Sequence, residues 1–104
     1  MATEIIYEDG SISSFPTDGG GFHAGDTAML RIRLITASSA LEIYLRTKGR
    51  MELTKGGANA AIKNVIEPMT GKTYKRSMNG KAEALADALI ALQRIEDAAV
   101  VYQS

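Results

Sequence analysis

Nine lysines and arginines fall between residues 46 and 81 of this 104-residue chain: Arg46, Lys48, Arg50, Lys55, Lys63, Lys72, Lys75, Arg76 and Lys81. Two acids, Glu52 and Glu67, oppose them there, so the segment carries +7. Residues 1–45 carry −4 and residues 82–104 carry −3, which leaves the whole chain neutral. A local excess of cations attracts phosphate whatever the total charge. In the later run, Lys72, Lys75, Arg76 and Lys81 interleave with Thr73, Tyr74, Ser77 and Asn79. Hydroxyls and an amide can donate hydrogen bonds, and a tyrosine can stack on a base. The earlier run is Arg46, Lys48, Arg50 and Lys55. If the two runs share a face, they make a groove for nucleic acid or a phosphorylated ligand. The plainer alternative is a solvated basic face that pairs with the acidic ends of the same chain. The contacts predicted from the pattern are Arg46, Lys48, Arg50, Lys72, Tyr74, Lys75 and Arg76.

Other chemistries find less. His23 is the sole histidine and cysteine is absent, so the usual zinc sites, thiol nucleophiles and disulfides are excluded, and the acids lack calcium-loop spacing. His23 reads as a solvent-facing loop residue. Gly19-Gly20-Gly21-Phe22-His23-Ala24 fits G-x-G-x-x-A, but Pro16 separates it from any strand and the chain is too short for a dinucleotide fold. A glycine-rich loop that opens a helix can still offer backbone N–H groups to an anion. Thr70-Gly71-Lys72-Thr73 echoes the end of a phosphate-binding loop, yet Ile66 stands where that motif needs glycine. Nothing supplies a positioned acid, base and nucleophile, so no enzyme, no cofactor and no metal site is predicted.

The elements that must carry these residues follow from periodicity. Glu4 to Tyr7 reads as a strand, Asp9-Gly10 as a hairpin turn and Ser11 to Phe15 as the returning strand, ended by Pro16. Thr17 to Gly25 reads as a loop. Asp26-Thr27 reads as an N-cap for a long helix that ends at Gly49. Along it, Met29, Ile32, Thr36, Ala40 and Ile43 form one stripe, with Leu30, Leu34, Leu41 and Leu45 beside it. Arg31, Ser38, Glu42 and Arg46 face away. A strand over 30–34, with the helix starting only at Ser38 or Ser39, is the rival reading. A second helix is predicted from Ala58 to Glu67, stopped by Pro68, and a third from about Lys81 to Val101. The third carries Leu85, Ala88, Leu92, Ile95, Ala99 and Tyr102 on one stripe. Leu89, Ile90 and Val101 lie outside it, as core or as a contact between copies in a homo-oligomer.

The prediction is therefore an α+β, mostly helical single domain, with three helices and a small N-terminal β-hairpin. Residues 1–25 supply the hairpin and glycine-rich loop, and 26–104 the helical body. The first residues do not resemble a signal peptide, and no stretch is long and apolar enough to span a membrane, so a cytoplasmic location is expected.

Two segments carry a resemblance. I-T-A-S-S-A-L-E-I-Y-L-R-T-K-G-R-M-E-L-T-K-G-G (35–57) and T-G-K-T-Y-K-R-S-M-N-G-K-A-E-A-L-A-D-A-L-I-A-L (70–92) resemble short uncharacterised accessory proteins of tailed bacteriophages and prophages. The resemblance implies a small protein made during infection, in the host cytoplasm. Such a protein would bind nucleic acid, sequester a signalling nucleotide at an oligomer interface, or block a host defence protein by direct contact. It implies no catalytic residues. The leading expectation is non-catalytic binding of a phosphate-bearing partner, nucleic acid foremost, through the basic central segment.

Overall fold

A computed structural model of the chain describes residues 2–51 and 57–103; Lys55, the last member of the first basic run, lies outside them. In chain order the elements are β1 (Thr3–Ile6), β2 (Ile12–Phe15), β3 (Phe22–Ala24), α1 (Asp26–Arg46), α2 (Gly57–Ala61), a π-helical turn (Ile62–Ile66), α3 (Glu67–Thr70), α4 (Met78–Asp97) and β4 (Val100–Gln103). The π turn joins α2 and α3 without a break, so three helical bodies dominate an α+β, mostly helical fold. The chain groups into two compact units, Met1–Ile32 with Gln93–Ser104, and Arg33–Leu92.

The first unit holds an antiparallel sheet of order β3-β2-β1-β4. The Asp9-Gly10 turn forms as its sequence predicts: Gly10 takes φ +85°, Gly10 N–H donates to Tyr7 O at 2.9 Å, and Tyr7 N–H donates to Ser11 O at 2.9 Å. Two strands depart from expectation. β3 lies inside the segment read as loop, and Val100–Gln103, read as the end of the last helix and its continuation, pairs with β1. β3 is only three residues long, too short to show a period. In the other case the apolar three-four stripe runs on past Asp97, but Val100, Val101 and Tyr102 are β-branched or aromatic and favour a pleated strand.

Register assigns the faces. Ile5 opposes both Ser13 and Val101, and Ser13 opposes His23, so these four share one face. Ser13 is completely buried, so this is the inner face. The outer face carries the rows Ala24–Ile12–Ile6–Val100 and Phe22–Ser14–Glu4–Tyr102.

The start of α1 is capped from a distance. Gly25 accepts the first helical bond, from Met29 N–H at 3.1 Å, and so occupies the capping position without a side chain to cap with. The hairpin turn supplies it instead. Thr27 N–H and Oγ1 donate to Asp9 Oδ2 at 3.2 and 2.7 Å, and Ala28 N–H donates to Ser11 Oγ at 3.1 Å. Gly25 is also the point of closest approach: at φ +100°, a Cβ there would lie 2.3 Å from Ser11 Cβ. The expected capping pair, Asp26-Thr27, falls inside the first turn of the helix.

In the second unit, residues 33–46 are helical, which removes the strand alternative for 30–34. The buried positions of α1 here are Leu34, Ala37, Ser38, Ala40 and Leu41. Leu34 and Leu41 of the leucine stripe and Ala40 of the other stripe are therefore buried, whereas Met29 and Thr36 are exposed. Ser38, expected to face away, is 5% exposed. The helix ends in a reverse turn closed by Gly49 N–H to Tyr44 O (2.8 Å) and Lys48 N–H to Leu45 O (3.3 Å). Lys48 at φ 55° and the predicted glycine, Gly49, at φ 82° both take left-handed positions there. Pro68 does not stop the second helix. Proline lacks an N–H and collides with the carbonyl four residues back in a regular α-helix. The π turn directly before it widens the spiral, closed by Glu67 N–H to Ile62 O, and the chain stays helical to Thr70. α4 buries Gly80, Ala84 and Ala88, a row of small residues at four-residue spacing, together with Lys81.

Candidate functional site

The charge separation visible along the chain maps onto the two units. Arg33–Leu92 contains ten cations and five acids, a net +5, and the other unit contains two cations and seven acids, a net −5. Within the cationic unit, three acids are engaged by its own cations. Arg46 pairs with Glu42 at 3.0 Å, Lys72 with Asp87 at 3.1 Å, and Arg76 with Glu67 at 2.9 Å. Arg33, Lys48, Arg50, Lys63 and Lys75 have no ion-pair partner among the described residues and are exposed.

The loop from Gly71 to Ser77 is laced to the helices on either side of it. Glu67 Oε2 accepts the Tyr74 N–H and the Arg76 guanidinium, both at 2.9 Å. Arg76 also donates to Tyr74 O at 2.9 Å. The Arg76 guanidinium and then the Tyr74 amide hold the Glu67 carboxyl below the usual carboxylate range. On the other side, Asp87 Oδ2 accepts the Tyr74 hydroxyl at 2.5 Å and Lys72 Nζ at 3.1 Å. Those two donors, the hydroxyl foremost, lower the Asp87 pKa, and Asp87 in turn raises that of Lys72. Burial, with the Asp87 charge, pushes the Tyr74 phenol up. Tyr74 is 4% exposed, so the ring predicted to stack on a base has no open face. It fastens the loop that carries Lys72, Lys75 and Arg76.

Lys81 is likewise structural. It is 3% exposed, donates to Arg76 O, and sits with its ammonium 4.7 Å from the centre of the Tyr44 ring. The same ring abuts the turn that ends α1, since a Cβ on Gly49 would come within 3.0 Å of the Tyr44 hydroxyl. The turn bearing Lys48 and Arg50 and the helix start bearing Lys81 therefore meet on Tyr44. Beside this helix start, Thr73, Lys75, Ser77, Asn79, Gly80 and Glu83 line a cleft of about 410 Å³. Gly80 is needed there, because a Cβ would lie 2.0 Å from Lys75 O.

The glycine-rich loop and His23 take roles the sequence does not reveal. Thr27 N–H and Ala28 N–H, the groups that could have met a bound anion, already bond to Asp9 and Ser11. The anion at this helix start is the protein's own Asp9 carboxylate. The Ser11 hydroxyl, then the Ser11 amide and the Thr27 hydroxyl, hold its pKa far below the usual value. His23 is half-buried in β3, with Nδ1 2.7 Å from Ser13 Oγ, which lies 2.8 Å from the Tyr7 hydroxyl. A serine beside a histidine has the makings of a nucleophile and its base. This serine is completely buried, so its oxygen meets no substrate. Among the described residues no cluster of three or more acids or histidines could hold a metal ion, and no helix is long and apolar enough to cross a membrane.

The three predicted oligomer contacts are all open to solvent: Leu89 is 50% exposed, Ile90 51% and Val101 56%. Leu89 and Ile90 lie on α4, whereas Val101 belongs to β4 and not to a helix. Comparison with protein-family models, with curated proteins and with solved structures finds no match.

Proposed function

We propose that this is a non-catalytic binding protein that engages a phosphate-bearing partner, nucleic acid foremost, through the cationic unit Arg33–Leu92. The observation that carries the reading is the net +5 of that unit, with Lys48, Arg50 and Lys75 exposed and without an ion-pair partner among the described residues. Its own acids are too few to neutralise it. Arg46 and Lys72 keep most of their side-chain surface in water while paired, so they contribute at the rim, and Arg76 and Tyr74 fix the loop. The reading suits a small accessory protein of the kind the phage resemblance implies.

The test is fluorescence anisotropy with labelled duplex and single-stranded oligonucleotides at low salt. The wild type binds both, and the triple variant Lys48→Gln/Arg50→Gln/Lys75→Gln loses most of the affinity while keeping its circular-dichroism spectrum. Absence of binding at low salt, or a folded triple variant that binds as tightly as wild type, overturns the proposal.

A further inference from the structure

β4 is an edge strand. It pairs with β1 on one side and with no strand among the described residues on the other. Proteins guard such edges with charge, proline or a bulge. Val100, Val101, Tyr102 and Gln103 include neither charge nor proline, and their register with β1 runs unbroken over all four residues. All four are exposed, and Val100, Val101 and Tyr102 each leave more than half of their surface in water. The open groups of a strand edge are matched by another strand. We infer that β4 is a homodimer interface, where a second copy of this chain pairs its β4 antiparallel across a two-fold axis and the two four-stranded sheets become one.

Symmetry narrows the register. A two-fold axis perpendicular to the sheet keeps outer face beside outer face, so opposed residues must have the same parity and one residue must face itself. Centred on Val101, the strand is self-complementary. Val101 meets the second copy's Val101 on the inner face. Val100 meets the second copy's Tyr102 on the outer face, twice over, and an aromatic opposite a β-branched residue is a favoured cross-strand pair. Centred on Tyr102, both mixed pairs are lost.

Glu4 decides between edge pairing and stacking of the apolar outer faces. It lies in the outer row between Ser14 and Tyr102, exposed and with no partner among the described residues. A face-to-face stack would strip water from that charge without compensation. Edge pairing leaves it in water, with the two β1 strands about 14 Å apart at ordinary strand spacing, beyond effective repulsion at physiological salt. The strands are short, so the dimer is a weak one that dissociates on dilution.

Sedimentation of the intact chain across the micromolar range, together with charge complementation at the centre of symmetry, tests this. Val101→Lys alone and Val101→Glu alone are expected to be monomeric, and their equimolar mixture to dimerise, because residue 101 faces itself. The chain has no cysteine, so a single Val101→Cys variant gives an unambiguous crosslink. It should form a disulfide dimer under mild oxidant much faster than Phe22→Cys, placed on the opposite edge strand. A wild type that stays monomeric throughout, a lysine–glutamate mixture that does not pair, or equal crosslinking at positions 101 and 22 each overturns the proposal. The cysteine comparison remains decisive if a charged variant fails to fold.

Discussion

Salt dependence offers the sharpest check on the cationic unit, because the structure supplies the number of charges. Of the six cations among the predicted contacts, a set that leaves out Arg33 and Lys63, three (Lys48, Arg50 and Lys75) enter a phosphate contact with no carboxylate to leave behind. Arg46, Lys72 and Arg76 each hold an acid of their own unit, Glu42, Asp87 and Glu67, which travels with them. Net neutralisation is then three phosphates rather than six. For duplex DNA the logarithm of affinity should fall against the logarithm of salt with a slope of about −2.7, so binding weakens about 40-fold between 50 and 200 mM salt. Six unpaired cations would give a slope of about −5.4 and a loss of roughly 2,000-fold over the same range. The assay is anisotropy titration at several salt concentrations, with wild type, Lys75→Gln, and Arg94→Gln as a control in the acidic unit. Lys75→Gln should make the slope shallower by about 0.9, and Arg94→Gln should leave it unchanged. A slope near zero, or one that Lys75→Gln leaves unchanged, refutes the reasoning.

Three further outcomes follow from the fold. Tyr74→Phe should cost about 1–2 kcal/mol in urea unfolding, because it removes a hydrogen bond to a charged acceptor, while leaving nucleic-acid affinity at wild-type level because the ring is buried; an affinity loss in the folded variant would return the ring to a stacking role. Gly25→Ala should destabilise by on the order of 2–4 kcal/mol in the same assay, since it combines a left-handed backbone with a collision against Ser11 that pushes the cap off the helix; a change below about 0.5 kcal/mol would contradict the geometry. The folded-state pKa values of Asp9, Glu67 and Asp87 are depressed, so their stabilisation is complete above the unfolded-state values of 3.8 and 4.5 and drains away as pH falls through the lower folded values. Acid titration followed by circular dichroism should show this loss, and Asp87→Asn should flatten part of it. An unfolding free energy constant from neutral pH to pH about 3 would exclude that contribution.

Helices and hairpin were legible because each announces itself over many residues or in one strong turn. The long apolar period of 28–46 outweighed the five-residue alternation at 30–34, and Asp9-Gly10 needed no context. What stayed hidden were features that depend on residues far apart in the chain. Asp9 caps a helix eighteen residues later, Asp87 holds a tyrosine thirteen residues earlier, and β4 pairs with a strand at the other end of the chain. Pro68 misled because the π turn that accommodates it has no clear mark in Ile62–Ile66. The basic runs were visible, but not which cations were free. Lys81 and Lys75 look alike as letters, and only packing shows that one lies beneath a tyrosine ring and the other lines an open cleft.

The hairpin's grip on the start of α1 also couples the opening of the two. Two of the amides that find no acceptor within the first turn of a helix, those of Thr27 and Ala28, are met here by atoms of the hairpin turn. When the Asp9–Ser11 turn opens, both amides lose their acceptors together, so their hydrogen exchange should keep pace with that of Tyr7 and Gly10 rather than with the middle of their own helix.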